Sequence, residues 1–227
     1  MELIFVGTGS GKTSKERFHS SLLFKSSSNN ILIDTGDSIS RALLAQNISV
    51  NSITNVIYTH YHSDHLAGLP SLLTQMIIGN RKEPLTIYTH KDLLQPLHEF
   101  IKISFLFIET FQFEIKFVGF DFEKSCQIND EFTFLAKQNS HIRNRHNLTN
   151  TNIQFISSSF LFKMNKQNIV YTSDIGKIDD TITILNPERI FLTHIEKEEE
   201  LNNWLSNLSE KLRGKITLAN DGMQLEL

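Results

Sequence analysis

Three imidazoles and a carboxylate fall within six residues of this 227-residue chain, in the run His60-Tyr61-His62-Ser63-Asp64-His65. A packed core has little use for such a cluster, whereas a pair of metal ions needs one. Neutral imidazole suits zinc or iron, and a short carboxylate can ligate, accept a proton, or do both. Residues two apart on a helix point away from each other, so His60 and His62 cannot converge from one helical face. They can converge from a loop that leaves a strand. A polar loop that happens to collect histidines is the plain alternative, and the strand–loop–helix setting weighs against it.

The neighbouring sequence supplies that setting. Within the run Asn55–Thr59, Val56–Tyr58 is β-branched and aromatic, and Leu66–Ile78 carries apolar residues at helical spacing, so Asp64 and His65 are expected at a helix N-terminus. Upstream, strands are expected at Leu3–Val6, Ser20–Lys25 and Asn30–Ile33, then a helix over Ser38–Gln46. Downstream, the pattern predicts a strand at Leu85–Tyr88 and a helix opening at Asp92. Phe111, Phe113, Phe117, Phe120 and Phe122 alternate as strand residues packed in a core, while Phe105 and Phe107 are better placed to line a pocket. Further strands are expected at Glu131–Lys137, Gln154–Ile156, Ser159–Met164, Asn168–Tyr171 and Ile190–Thr193. A charged helix over Lys197–Leu212 and a last strand at Ile216–Leu218 close the chain. Gly7-Thr8-Gly9-Ser10-Gly11-Lys12-Thr13 looks like a phosphate-cradling loop, but Val6 stands where that pattern needs glycine, and Phe18–Lys25 reads as strand.

Composition bounds the rest. The length suits a single domain over residues 1–227 with a substantial core. Apolar residues make up 40% and charged residues 21%, as in soluble globular proteins. The formal charge of −3 argues against a broadly basic nucleic-acid surface. Cys126 is the only cysteine, so no internal disulfide can form, and a reducing cytoplasm is the expected compartment. The apolar stretch from Phe100 to Phe122 is broken by Lys102, Glu109, Glu114 and Lys116, so no membrane association is expected.

Thr59-His60-Tyr61-His62-Ser63-Asp64-His65-Leu66-Ala67-Gly68-Leu69-Pro70 resembles the signature of the metallo-β-lactamase superfamily, in its ribonuclease Z-like phosphodiesterase branch. The resemblance runs along nearly the whole chain. Leu3–Ser10 with Arg17–Ser21 is similar to that group's opening strand and loop, and Ile31-Leu32-Ile33-Asp34-Thr35-Gly36 to its second motif. Val170–Asp174, Phe191–His194 and Ala219–Met223 follow in the right order. The resemblance implies an α/β (α+β) fold: a four-layer αββα sandwich of two mixed sheets flanked by helices. Strands and helices that interleave without simple βα alternation suit it.

It also implies a ligand set. His60, His62 and a histidine after the Glu131–Lys137 strand would hold one ion; His141 is the first choice and His146 the rival. Asp64, His65 and His194 would hold the second. Asp174, at a strand end, would bridge the two, since a carboxylate can hold cations about 3.5–4 Å apart. Asp34 is expected to orient a ligand histidine by hydrogen bonding. His19, His90 and His98 are expected not to ligate, with His19 the one that approaches the cleft; Asp179 and Asp180 are expected in turns or caps.

The implied activity is that of a hydrolase using two divalent ions, zinc first and Mn2+ or Fe2+ as alternatives. They would lower the pKa of a bound water to about 7, with Asp64 as the catalytic carboxylate. Expected substrates are phosphodiesters, RNA or a small cyclic or linear nucleotide, and a homodimer is compatible with the sequence. Three departures favour the smaller substrate over folded tRNA: no long Gly/Pro-rich arm, no His-Glu-Ala-Thr-like segment between Asp174 and His194, and a slightly acidic chain. The same scaffold hosts thioester, lactone and β-lactam hydrolysis, so these stay as alternatives, as does a non-catalytic binding protein with an inherited metal site.

Overall fold

The computed structural model describes residues 1–142, 154–164, 167–174, 187–208 and 210–227. In chain order the first six strands are β1 (Glu2–Gly7), β2 (Ser21–Lys25), β3 (Asn30–Ile33), β4 (Asn55–Ile57), β5 (Leu85–His90) and β6 (Ile115–Phe120). They are followed by β7 (Ser125–Gln127), β8 (Phe132–Gln138), β9 (Ser158–Met164), β10 (Gln167–Tyr171), β11 (Ile190–Leu192), β12 (Ile216–Leu218) and β13 (Gln224–Glu226). The helices are α1 (Ile39–Ala45), α2 (Ser63–Leu66), α3 (Leu69–Ile78), α4 (Leu94–Ile103), α5 (Glu198–Ser206) and α6 (Glu210–Arg213).

One sheet is mixed and runs β13-β1-β2-β3-β4-β5-β6, parallel from β3 to β6 and antiparallel elsewhere. A second sheet, β10-β9-β8-β7, is antiparallel, and β11 pairs with β12 in parallel. The period of two along a strand divides the core into two layers. On β1, Ile4 and Val6 pack toward α1, α3 and α4 through Ile39, Leu43, Leu72, Leu73, Leu97 and Ile101. Leu3 and Phe5 face the other way, into the layer that joins the two sheets.

Phenylalanines dominate that inner layer. Phe24 meets Phe162 at 4.9 Å between ring centroids and Phe132 at 5.3 Å, both edge-on, as ring quadrupoles favour. Phe113 and Phe120 are buried as expected; Phe107 lines a small cleft with His98 and Phe117, whereas Phe105 is 82% exposed.

Local departures from the expected elements have physical causes. The helix expected over Leu66–Ile78 divides into α2 and α3. Between them Gly68 donates its N–H to the Thr35 carbonyl at 2.8 Å, and Pro70 starts α3 at a position where a missing N–H costs nothing. The charged helix is likewise two pieces, α5 and α6. Gln154–Ile156 is not a strand; Ile156 is buried there, and β9 begins at Ser158. The chain does not end its sheet at β12, since β13 returns to pair with β1, Leu225 opposite Leu3. His146, Asp179 and Asp180 lie outside the described residues.

Candidate metal centre

The site forms where β4 and its parallel neighbours end. After β4 the chain stays extended to His62, whose carbonyl caps α2 by accepting from His65 and Leu66. A second segment, the β3 exit, locks this loop. Asp34, fully buried and left-handed at φ 61°, accepts from the Thr59 N–H and hydroxyl at 2.8 Å each, and meets His65 Nδ1 at 2.8 Å. Thr35 N–H in turn donates to the His65 carbonyl at 2.7 Å. Gly36 must be glycine for this clasp, because a Cβ there would lie 2.7 Å from the Asp64 carbonyl carbon and 2.8 Å from His19 Cβ. The second sheet joins through the Ser158 N–H, which donates to Thr59 O at 3.0 Å.

All seven expected ligand residues converge. The ligand atoms of His60, His62, His141 and Asp174 lie within 4.8 Å of one another, and so do those of Asp64, His65, Asp174 and His194. Asp174 belongs to both groups and turns one oxygen to each. Its Oδ2 is 3.3 Å from His141 Nε2, and its Oδ1 is 3.1 Å from His194 Nδ1 and 3.4 Å from His65 Nε2. Asp64 Oδ2 stands 3.5 Å from His65 Nε2 and 4.0 Å from His194 Nε2. His194 and Ser173, beside Asp174, both take left-handed backbone (φ 59° and 54°), a conformation held only where surroundings impose it. His19 and His90 join neither group.

These residues fit divalent cations. His60 Nε2, His65 Nε2 and His194 Nδ1 are buried without a hydrogen-bond partner, a cost of about 1–3 kcal/mol each unless something else takes the lone pair. Burial, followed by the charge of His65, pushes the His60 imidazole down to about 2, so it presents a neutral ring. Burial likewise lowers His141 and His194. His65 behaves oppositely: burial would lower it, but Asp34, Asp174 and Asp64 together hold it well above its ordinary value. Burial would also raise Asp174, yet His65, 3.4 Å away, and the charge of His194 outweigh that and lower it. Without a cation, three carboxylates thus recruit a proton onto His65; positive charge is what this cluster demands.

Sequence reasoning missed one anchor. Asp221, between β12 and β13, accepts from Thr8 N–H at 2.8 Å, the Thr8 hydroxyl at 2.7 Å and Phe18 N–H at 2.6 Å. Arg17 reinforces it by donating to the Ala219 carbonyl at 2.7 Å. This fixes the glycine-rich turn, where a Cβ on Gly11 would meet the Asp64 carboxylate at 3.1 Å. Its only signal was membership in the Ala219–Met223 motif. Cys126 sits on β7, packed against the inter-sheet core, and contributes nothing to the cluster.

A family model described as anti-Pycsar protein Apyc1 matches residues 1–223. A ribonuclease Z from Methanococcus aeolicus is 30% identical over 136 residues, 60% of this chain and 41% of that protein, so the chain spans under half the length of such curated relatives. The fold is that of metallo-β-lactamase fold proteins. The short form of human tRNase Z superposes with a TM-score of 0.73 at 18% identity, covering 100% of this chain and 99% of that one. The metallo-β-lactamase fold protein YhfI from Bacillus subtilis gives 0.74 at 17%, covering 99% and 98%.

Proposed function

The chain belongs to the anti-Pycsar protein Apyc1 family, and from that premise we propose that it is a metal-dependent phosphodiesterase of ribonuclease Z-like type. The observation that carries this reading is Asp174, one oxygen toward each of two ligand groups. His60, His62 and His141 would hold one divalent cation, Asp64, His65 and His194 the other, with Asp174 common to both and Asp64 the catalytic carboxylate. Zinc matches this nitrogen and oxygen donor set, which Mn2+ and Fe2+ also accept. Bound there, the cations supply Lewis acidity, bringing a water's pKa near neutrality and stabilising charge on a phosphoryl oxygen.

The chain's own residues do the rest. Asp64 would accept a hydrogen bond from the attacking water and orient it; burial would raise its carboxyl, but the neighbouring His65 pulls it well below the usual range and keeps it ionised, an acceptor that holds the water without retaining its proton. Asp34 keeps the His65 proton on Nδ1, so that Nε2 faces the cluster. Thr59 Oγ1, 2.9 Å from His60 Nδ1, supports the same orientation of that ring.

A small or single-stranded phosphodiester is favoured over folded tRNA, because the chain is slightly acidic and has no long Gly/Pro-rich arm. A single domain over residues 1–227 in the cytoplasm completes the reading; no helix among the described residues is long and apolar enough to cross a membrane. Metal-reconstituted protein tests it against a bis-aryl phosphodiester, cyclic nucleotides, precursor tRNA, a thioester and a β-lactam. Phosphodiester turnover lost with chelator and with Asp64→Ala is expected, and turnover of the β-lactam alone would overturn it.

A further inference from the structure

Beside the histidine cluster lies a cleft of about 490 Å³ that the chemistry above does not use. Its walls come from the ends of β5, β6 and β8 and from Gln154, Phe155 and Ile156. Two connections tie it to the cluster. Tyr61, between His60 and His62, donates to Thr89 Oγ1 at 2.8 Å, one residue before His90 in the cleft wall. Opposite, Asn139 accepts from the His141 N–H at 3.1 Å and from the Ser157 hydroxyl, and these partners directly follow Gln138 and Ile156 of the wall. Ile57 pairs with Tyr88 in parallel register and the Tyr58 N–H donates to the Tyr88 carbonyl at 3.0 Å, so the β5 residues that lead to His90 run beside the segment that leads to His60.

The lining chemistry is aromatic, amide-bearing and balanced in charge. Phe122 lies over the His90 ring at 4.5 Å with a 33° tilt, and Phe155 adds a second half-buried ring. Gln138 and Gln154 each carry an amide donor and acceptor, the combination found along heterocycle edges. The cations are already engaged: Asp121 holds Lys91 at 2.6 Å and Lys124 at 2.9 Å, while Asp92 sits 3.6 Å from His90 Nδ1. Two lysines against two aspartates leave no surplus charge to trap a phosphate. A flat, neutral ring with polar edges is what such a cleft accommodates.

Resting on the phosphodiesterase reading above, we infer that this cleft is the subsite for the nucleobase of a nucleotide whose phosphodiester lies at the metal-ligand cluster. Ligand-observed NMR of adenosine and uridine on the metal-loaded protein tests it without catalysis. Saturable binding is expected, weakened about tenfold by Phe122→Ala and by Gln154→Ala, restored by Phe122→Tyr and kept by Asp64→Ala. With 3′,5′-cyclic nucleotides the same two alanine variants raise KM about tenfold. Should Phe122→Ala fail to fold, Gln154→Ala, an exposed side chain, carries the test. Absence of saturable nucleoside binding, or binding indifferent to the cleft variants, overturns the base subsite whatever phosphodiesters turn over. Nucleoside binding with these sensitivities in a protein that cleaves no phosphodiester would support the base subsite and sink the proposed activity instead.

Discussion

Asp34→Asn acts directly on the tautomer of one ligand, His65, and reaches a second, His60, only through the Thr59 hydroxyl. Asparagine is nearly isosteric and, like aspartate, tolerates the left-handed φ of 61°, so the backbone is not strained by the change. Asp34 accepts three hydrogen bonds in a fully buried position, from Thr59 N–H, Thr59 Oγ1–H and His65 Nδ1–H. An amide offers one oxygen and one NH2 group. The Thr59 N–H can only donate, so the amide oxygen must stay at Oδ1 and the NH2 replaces Oδ2, facing both His65 Nδ1 and Thr59 Oγ1; the hydroxyl oxygen then accepts from the amide and still has a second lone pair for His60 Nδ1–H. Flipping the amide instead leaves the Thr59 N–H buried against a donor, at about 1–3 kcal/mol. His65 then has to accept at Nδ1 and carry its proton on Nε2, the nitrogen 3.4 Å from Asp174 and 3.5 Å from Asp64. A protonated Nε2 has no lone pair for a cation. Loss of such an orienting partner costs about 10–100-fold in metal affinity, or roughly 1.4–2.7 kcal/mol. Competition with a chromophoric chelator should therefore show one of two cations weakened by that factor and the other within about threefold of wild type. Equal weakening of both, or wild-type affinity for both, would refute the tautomer argument.

Asp174→Ala should do what Asp34→Asn does not: elemental analysis after dialysis is expected to show both cations depleted, since this carboxylate serves both groups. Gly36→Ala keeps every ligand yet drives a Cβ into the Asp64 backbone; a displacement approaching 1 Å at Asp64 should cost about 100-fold in phosphodiester turnover, read by kcat/KM against a folded control. Phe162→Ala, remote from the cluster and fully buried among Phe24, Phe132 and Phe160, should cost about 3–5 kcal/mol in urea unfolding and leave metal stoichiometry intact. The pH dependence follows from His60, whose folded pKa of about 2 lies below its ordinary 6.5. The unfolded chain binds the extra proton between those values, so the ring's contribution is complete above about 6.5 and is lost as pH falls. In metal-free protein the stability of wild type relative to His60→Gln should drop by up to about 1.4 kcal/mol per pH unit below that point; a difference that does not change with pH would count against it.

What was legible in the chain divides along physical lines. Strands β1, β2 and β3 could be read because burial on both faces makes each a short continuous apolar run, and helices α1 and α4 because one buried face writes itself into the sequence as a period of 3.6. β13 could not, since three residues with a single partly buried side chain carry no period; only its pairing with β1 defines it. Gln154–Ile156 reads as strand for the opposite reason. Phe155 and Ile156 are apolar because they wall a cleft and cover a loop, and apolar residues alone do not specify a ladder. The same logic governs the site. Ligand identities were readable because the chemistry restricts residue type: imidazole and carboxylate have few substitutes around two cations. Asp34 was readable in part, since a buried carboxylate at a strand end must have partners. That one oxygen takes the Thr59 N–H while the other takes both the Thr59 hydroxyl and His65 is a property of the fold alone. Asp221 was the hardest, because it acts on neither ligand nor substrate. It holds the turn that carries Gly11 against Asp64 from more than two hundred residues away in sequence. The residues that perform chemistry are constrained by type and those that aim them by position, so a chain read as letters shows the first and hides most of the second.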